Sequence, residues 1–129
     1  MMIPVLFFAS SFLNLSDSVR HPIDLRLDSC LLKSHATMPR AECYRNAYEA
    51  WENDIAAVEK ALLQRANAKQ KAKIKAEQNA WIKQRDASFQ KIADQYNKMR
   101  GTAYIPVRIK LRMEVLRKRA LELERQQKV

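Results

Sequence analysis

Glycine, histidine and cysteine are scarce in this chain of 129 residues, which contains one glycine, two histidines and two cysteines. A single glycine cannot supply a Gly-rich phosphate-binding loop, a Rossmann fingerprint or a Walker loop. It also argues against an all-β fold, because tight hairpins draw heavily on glycine. The abundant residues are Ala, Leu, Lys, Arg, Glu and Gln, all good helix formers. The composition and length together predict one all-α domain.

The sequence offers little from which to build a catalytic site. Its two histidines, His21 and His35, lie in an N-terminal part that we interpret as loop. No Ser-His-Asp or Cys-His order is indicated, and no metal-ligand spacing recurs. The carboxylates stand on predicted helices among Lys and Arg, where solvated pairing is ordinary. We therefore expect no enzymatic activity, no catalytic residue, no bound metal and no cofactor.

Positive charge is concentrated in the second half of the chain. There are 24 Lys and Arg against 14 Asp and Glu, for a net charge of +10. Residues 1–64 hold 6 basic and 8 acidic side chains, so all the excess positive charge lies beyond them. Such a field attracts nucleic acid, acidic lipid or an acidic protein. The alternative is a solubilising surface on exposed helix faces.

Residues 1–18 have the character of a secretory signal peptide. Met1–Leu13 is apolar apart from two serines, and small residues favour cleavage after Ser18. The run is too short to span a bilayer, and no Lys or Arg precedes it. The alternative is a short hydrophobic segment that docks on the domain. Export predicts a periplasmic or secreted protein in which residues 19–129 form one helical domain.

The two cysteines, Cys30 and Cys43, are most simply paired if the chain is exported. A disulfide between them would close a loop of about 14 residues and stabilise the fold by about 3 kcal/mol. The alternatives are inert thiols, a nucleophilic Cys43, or a zinc site completed by His21 and His35.

Beyond the cysteines, apolar residues recur at helical spacing in three stripes. We expect Thr37 to cap the first of these helices, with Pro39 in its first turn. Gly101 is placed to end the second helix, and Pro106 lies near the start of the third. The stripes are Tyr44, Tyr48, Trp51, Ile55, Val58 and Leu62; Ile74, Gln78, Trp81, Arg85, Ser88, Ile92, Tyr96 and Met99; and Ile105, Ile109, Met113, Leu116, Ala120 and Leu123.

The first two stripes are not continuous. Leu62 and Ile74 lie 12 residues apart, which places them about 120° out of phase on a helix. The pattern therefore predicts a hairpin that breaks near Arg65–Gln70, with a continuous helix in a dimer as the alternative. Four alternating lysines, Lys69, Lys71, Lys73 and Lys75, follow the break. They point about 200° apart in succession, so they form no single patch. Their function is either an anion-binding tip or none, in which case they belong to a solvated, frayed turn.

Polar residues interrupt the second stripe where apolar ones were expected. Gln78, Trp81 and Arg85 share one face of that helix. Arg85 would either stack on an aromatic ring or pair with Glu52, Asp54 or Glu59 of the first helix. We interpret Arg85 as a residue that holds two helices together. The alternative is a partly exposed Trp–Arg pair that binds a partner protein.

These elements resemble the N-terminal domain of the lysozyme inhibitor LprI family. The resemblance rests on Cys30 and Cys43, on the run 76–87 (AEQNAWIKQRDA) and on the run 119–124 (RALELE), and it covers about residues 28–125. It implies a small, exported helical domain. The implied fold is all-α: a three-helix antiparallel bundle, or helical hairpin plus C-terminal helix, stapled by one disulfide. The motif residues, which we expect to be structural, are Gln78, Trp81, Arg85, Asp86 and Arg119.

Two departures from the family are visible. Members often carry a cysteine just after the Arg-Asp pair and another early in the last helix, whereas this chain has Ser88 in the first region and no cysteine in 109–113. The second departure is charge, since lysozymes are usually strongly basic and a basic inhibitor would meet repulsion. Only the first helix is acidic enough to attract a basic lysozyme. Its candidate partner-binding residues are Glu49, Glu52, Asp54 and Glu59.

Two functions therefore remain open. The first is an exported module that binds lysozyme or another envelope protein and acts by steric occlusion. The second is a basic helical protein that binds an anionic polymer or lipid, with affinity that falls as salt rises. A purely structural role in the envelope is a third alternative.

Overall fold

The computed structural model describes residues 20–128, and the predicted signal peptide at residues 1–18 lies outside them. The described residues form four helices: α1 is Pro22–Leu32, α2 is Thr37–Arg65, α3 is Ala68–Tyr96 and α4 is Tyr104–Lys128. The expected all-α fold is confirmed, and the three long helices are those that the stripes predicted. None of the described helices has the length and apolar character needed to cross a membrane.

Helices α2 and α3 form the predicted hairpin. Only Ala66 and Asn67 separate them, within the expected break. The break is well defined because Asn67 and Gln70 form a reciprocal capping box, in which each side chain accepts the other residue's backbone N–H at 2.9 Å. The predicted alternative, one continuous helix, is wrong. The tip of the hairpin is a capped helix start and not a frayed turn.

Helix α4 folds back along α3 and so runs parallel to α2. The rings of Tyr96 and Tyr104 meet where α3 gives way to α4, with centroids 5.9 Å apart. Further along the same pair of helices, Glu77 and Arg119 are in contact. The short helix α1 then packs against α2. Helices α2, α3 and α4 thus form an up-down-up bundle.

The core lies between α1, α2 and α4. Trp51 and Ala120 are completely buried at its centre. The inward faces are the first and third predicted stripes, which confirms the helical periodicity. The buried cluster consists of Ile23, Tyr44, Ala47, Trp51, Ile55, Val58, Met113, Leu116, Ala120 and Leu123.

Helix α3 is attached more loosely than the other two long helices. Ile92 is its only buried residue, although Trp81 and Phe89 pack partly against the core. The second predicted stripe does face the other helices, but Gln78, Arg85 and most of the other residues in it remain half-exposed. Met99 lies beyond the end of α3 and is exposed. The polar residues in the stripe are tolerated because this helix is not enclosed on both sides.

Helix α1 is the main element that the sequence analysis missed. His21, assigned to a loop, is the N-cap of α1, and Pro22 opens the helix. His35 is exposed in the short turn before α2. The disulfide between Cys30 and Cys43 is present and joins α1 to α2 across 13 residues of sequence.

Two predicted helix boundaries need correction. Ala36, not Thr37, is the N-cap of α2, and no side chain caps this helix, although Pro39 does lie in the first turn. Helix α3 ends at Tyr96, so Gly101 does not end it directly. Gly101 instead lies in the connection to α4 with a φ of 95°, a conformation that glycine adopts without strain. Pro106 is the third residue of α4, as expected.

Candidate functional site

Trp81 is the centre of the family motif in three dimensions. It lies half-buried on the inward face of α3, between two arginines. The guanidinium carbon of Arg85 lies 5.6 Å from the centre of the Trp81 ring, and that of Arg119 lies 5.3 Å from it. Both arginines are therefore close enough for a cation–π contact with the same ring. The structure brings three of the five motif residues together in this way.

Arg119 ties the three long helices to one another. It lies on α4 with only 5% of its surface exposed, and it is the only buried charged residue among those described. Its guanidinium donates to Oε1 of Glu77 on α3 at 2.7 Å and lies 3.7 Å from a carboxylate oxygen of Glu59 on α2. Burial raises the pKa of Glu59, and the nearby Arg119 opposes that rise. A buried arginine with two carboxylates from two other helices is a structural joint.

Arg85 does not form the predicted pairs with the first helix. Its guanidinium bonds instead to Asp86, the next residue, at 2.9 Å, and it stacks on Trp81 and Phe89. The prediction of aromatic stacking is confirmed, and the prediction of pairing with Glu52, Asp54 or Glu59 is wrong. The physical reason is that Arg119 already pairs with Glu59, while Asp54 lies against the end of α4.

A groove of about 530 Å³ runs between α3 and α4 beside this joint. Trp81, Arg85 and Arg119 line it, and so do Ser88 and Leu111. Ser88 and Leu111 lie in the two regions where the family resemblance led us to look for additional cysteines, and both regions face the same groove. In this chain α3 is held against α4 by packing and ion pairs without such a covalent link. Gln78 lines a separate groove, between α2 and α3.

The four candidate partner-binding carboxylates do not form one surface. Glu49 and Glu52 are exposed on α2, and neither forms an ion pair with any described residue. Asp54 and Glu59 are half-buried, and each is engaged within the protein. The exposed acidic surface of α2 is thus smaller than the sequence suggested.

Asp54 belongs to a cluster with His21 and Glu124 that sequence reasoning missed. Nε2 of His21 lies 2.9 Å from Oε2 of Glu124, while Nδ1 accepts the backbone N–H of Ile23 at 3.1 Å. The His21 ring also packs on Trp51, with centroids 4.4 Å apart. These residues come from α1, α2 and α4. Because the partners lie far apart in the chain, no local motif could have indicated the cluster.

The carboxyl groups of Asp54 and Glu124 lie close together in this cluster, with an oxygen of one within 4.8 Å of an oxygen of the other. Burial, the hydrogen bond with Glu124 and the charge of Glu124 raise the pKa of Asp54 to about 6. Burial also acts to raise the pKa of Glu124, but hydrogen bonds with Asp54 and His21 outweigh it and leave that pKa below its ordinary value. At mildly acidic pH Asp54 therefore keeps its proton while Glu124 beside it is ionised.

Among the described residues, His21, Asp54 and Glu124 also have the spacing of a metal site, because their ligand atoms lie within 4.8 Å of one another. The hydrogen-bond pattern favours protons over a metal ion. Because Nδ1 of His21 accepts the Ile23 N–H, Nε2 carries the ring proton. Coordination through Nε2 would put the proton on Nδ1 and break the cap of α1.

A second contact between α1 and α4 lies beside the cluster. The Arg117 guanidinium donates to both carboxylate oxygens of Asp24, with the shorter bond at 2.8 Å, and lies 5.9 Å from the centre of the Trp51 ring. The hydrogen bond to Asp24 raises the pKa of Arg117. Cys30–Cys43, His21–Glu124 and Asp24–Arg117 together fix α1 on the bundle.

Comparison with known proteins identifies the family. The model of the family described as lysozyme inhibitor LprI matches residues 30–123, a range that contains both cysteines, the Trp81 motif and Arg119. The comparisons with curated proteins and with solved structures gave no match. Proteins of the matched family are inhibitors rather than enzymes and are typically exported. The resemblance seen in the sequence is therefore confirmed, and the chain belongs to the LprI family of lysozyme inhibitors.

Proposed function

We propose that this protein is an exported inhibitor that binds a lysozyme and occludes its surface without carrying out chemistry of its own. The observation that carries the proposal is the family match over residues 30–123. The fold is compatible with steric action, because the bundle is held by a disulfide, a buried arginine joint and a capped hairpin. Such a body presents a preorganised surface, which lowers the entropic cost of binding.

The contact surface we propose is the outer face of the first half of α2. Glu49 and Glu52 are exposed there and form no ion pair with any residue of 20–128, so both carboxylates are available to a basic enzyme. Glu42 also lies on this face, although it pairs with Arg45. Residues 65–129 are basic on balance, with 18 Lys and Arg against 6 Asp and Glu, and would repel a basic lysozyme. Charge complementarity therefore favours approach through α2.

The test is a titration of the purified protein, with Cys30–Cys43 oxidised, into a cell-wall lysis assay with a chicken-type lysozyme. We expect dose-dependent inhibition at physiological salt, with the lysozyme retained by the immobilised protein. If neither inhibition nor retention occurs, the proposed function is wrong for this lysozyme class, while the fold and the family membership stand.

Substitutions then test the surface. Glu49→Gln combined with Glu52→Gln is expected to weaken binding roughly three- to tenfold, mainly through a slower association rate. Asp94→Asn combined with Glu114→Gln is the matched control, because it also removes two negative charges, at exposed carboxylates on α3 and α4 away from the proposed contact. Equal weakening by the control and by the double variant would show that net charge, and not this face, determines binding.

A further inference from the structure

The end of the bundle where α2 meets α3 carries exposed cations without acidic partners. From position 60 to position 76 there are six cations and no Asp or Glu. The C-terminus of α4 lies at the same end, since Arg65 donates to the carbonyl of Gln127 at 3.3 Å. We name this surface the basic tip. It consists of Lys60, Arg65, Lys69, Lys71, Lys73, Lys75, Arg125 and Lys128, all of them exposed.

None of these eight side chains forms an ion pair with a described residue. The nearest carboxylates along α2 and α3, Glu59 and Glu77, are directed to Arg119. Glu124 of α4 belongs to the cluster with His21 and Asp54. Lys128 does act on one of these carboxylates, since its charge helps to lower the pKa of Glu124, but the rest of the positive charge of the basic tip is not neutralised within the part of the chain that the structure describes.

Helix electrostatics explain only three of these cations. Arg65, Arg125 and Lys128 lie in the last turns of α2 and α4, where positive charge offsets the negative end of a helix. Lys69 and Lys71 lie in the first turn of α3, whose positive end they oppose, and that turn contains no acidic residue. Lys69 and Lys71 thus act against the stability of their own helix. A ligand outside the fold accounts for them better than the fold does.

The arrangement of these lysines fits a flat anionic surface. Lys71 and Lys75 line the groove toward α2, while Lys73 lines the groove on the other side of α3. Because these cations lie on different sides of α3, they cannot all contact a ligand in one groove. If the end of the bundle approaches a flat surface, however, all of them come close to that surface. The capping box at Asn67 and Gln70 keeps the tip rigid, so the cations are held in place without a ligand.

We propose that the basic tip docks end-on to the surface of an anionic phospholipid bilayer. Residues 60–76 contain no Phe, Tyr or Trp, so the tip lacks the stacking platforms by which proteins hold single-stranded nucleic acid. Large apolar side chains are not exposed there, so the contact is electrostatic and does not insert. Each lysine at such a surface contributes about fivefold to partitioning. The proposal does not depend on lysozyme inhibition, because it uses a different surface and a different ligand.

The test measures co-sedimentation of the full chain, with its disulfide oxidised, with phosphatidylcholine vesicles that do or do not contain roughly one-third phosphatidylglycerol. We expect binding to the anionic vesicles alone, with an affinity that falls steeply as salt rises. A tip variant replaces all four lysines of the first turns of α3 by glutamine: Lys69→Gln, Lys71→Gln, Lys73→Gln and Lys75→Gln. Its binding is expected to fall roughly a hundredfold or more.

A control variant removes the same charge elsewhere, through Lys83→Gln, Lys91→Gln, Lys98→Gln and Lys110→Gln, all at exposed positions. We expect it to lose less than about tenfold in binding. Glutamine is a good helix former, and the tip variant also removes two lysines that oppose the dipole of α3, so neither variant should unfold at a lower temperature than the wild type. Equal losses in the two variants, or no binding of the wild type to anionic vesicles, would overturn the proposal. The proposal would also be overturned if duplex DNA displaced the protein from the vesicles at matched phosphate concentration, because the basic tip would then bind nucleic acid in preference to lipid.

Discussion

His21 and Glu124 are 103 residues apart in the chain, yet Nε2 of one lies 2.9 Å from Oε2 of the other. The same histidine caps α1 through its other ring nitrogen. The start of the first helix is thus fixed by the end of the last one. Asp54 of α2 completes the cluster, which makes it sensitive to protons as well as to packing.

The first prediction concerns pH. The pKa of Asp54 is raised to about 6, so its contribution to stability is complete below its ordinary pKa and is lost as pH rises through about 6. The lowered pKa of Glu124 acts in the opposite direction, and its contribution is lost on acidification. Asp54→Asn keeps a polar side chain of the same size beside Glu124 and removes the titrating group. We expect it to raise the melting temperature by about 2–4 °C at about pH 7.5 and by less at about pH 5.

The measurement is thermal unfolding followed by circular dichroism across this pH range. Because Asp54 is partly exposed to solvent, the effect is small. Parallel profiles for the variant and the wild type would contradict the raised pKa of Asp54 beside Glu124.

The second prediction separates the two arginines that flank Trp81. Arg119→Ala leaves Glu59 and Glu77 without their buried partner and should cost about 2–4 kcal/mol in the free energy of unfolding. Arg85→Ala removes a half-exposed stacking contact and should cost only about 0.5–1 kcal/mol. Urea titration of both variants, beside Lys118→Ala as an exposed control on α4, gives the comparison. If both alanine variants lost the same free energy of unfolding, Arg119 would not be the residue that joins the three long helices.

A third prediction addresses the disulfide. Replacing both Cys30 and Cys43 by serine removes a cross-link over 13 residues of sequence, which should cost about 3 kcal/mol. The melting temperature is then expected to fall by roughly 10–15 °C. Since His21–Glu124 and Asp24–Arg117 still hold α1, the helical signal of the folded state should be unchanged. A large loss of helix at low temperature would show that the disulfide alone retains α1.

The capping box gives a fourth prediction. Asn67→Ala removes the acceptor for the Gln70 N–H and should cost about 1 kcal/mol. Asn67→Asp keeps an acceptor and places a negative charge at the positive end of α3, so it should be at least as stable as the wild type. Differential scanning calorimetry of the two variants distinguishes a cap from a merely polar turn. If aspartate destabilises as much as alanine, the cap has been wrongly assigned.

Local patterns in the sequence were sufficient for the three long helices. The spacing from Tyr44 to Leu62 and from Ile105 to Leu123 directly encodes which face is buried, because one face of a helix repeats every 3.6 residues. The break at Ala66 and Asn67 was also predictable, from the phase shift between successive stripes.

Long-range polar contacts could not be predicted in the same way. The spacing of Arg85 relative to Trp81 is visible in the sequence, but the choice between Arg85 and Arg119 as partner of Glu59 depends on how helices are placed in space. His21 and Glu124 meet only after α1 and α4 have packed on α2. Helix α1 itself was missed because it is short and two of its signals, His21 and Pro22, also suit a loop.

The loose attachment of α3 has a consequence for how such a protein can evolve. The core is built from α1, α2 and α4, so most substitutions on α3 leave the packing of the core intact. Neutral variation can therefore accumulate on this helix while the fold persists. New ligand preferences then require changes to a single element, and a scaffold of this kind can diversify its surface without first acquiring a compensating mutation in the core.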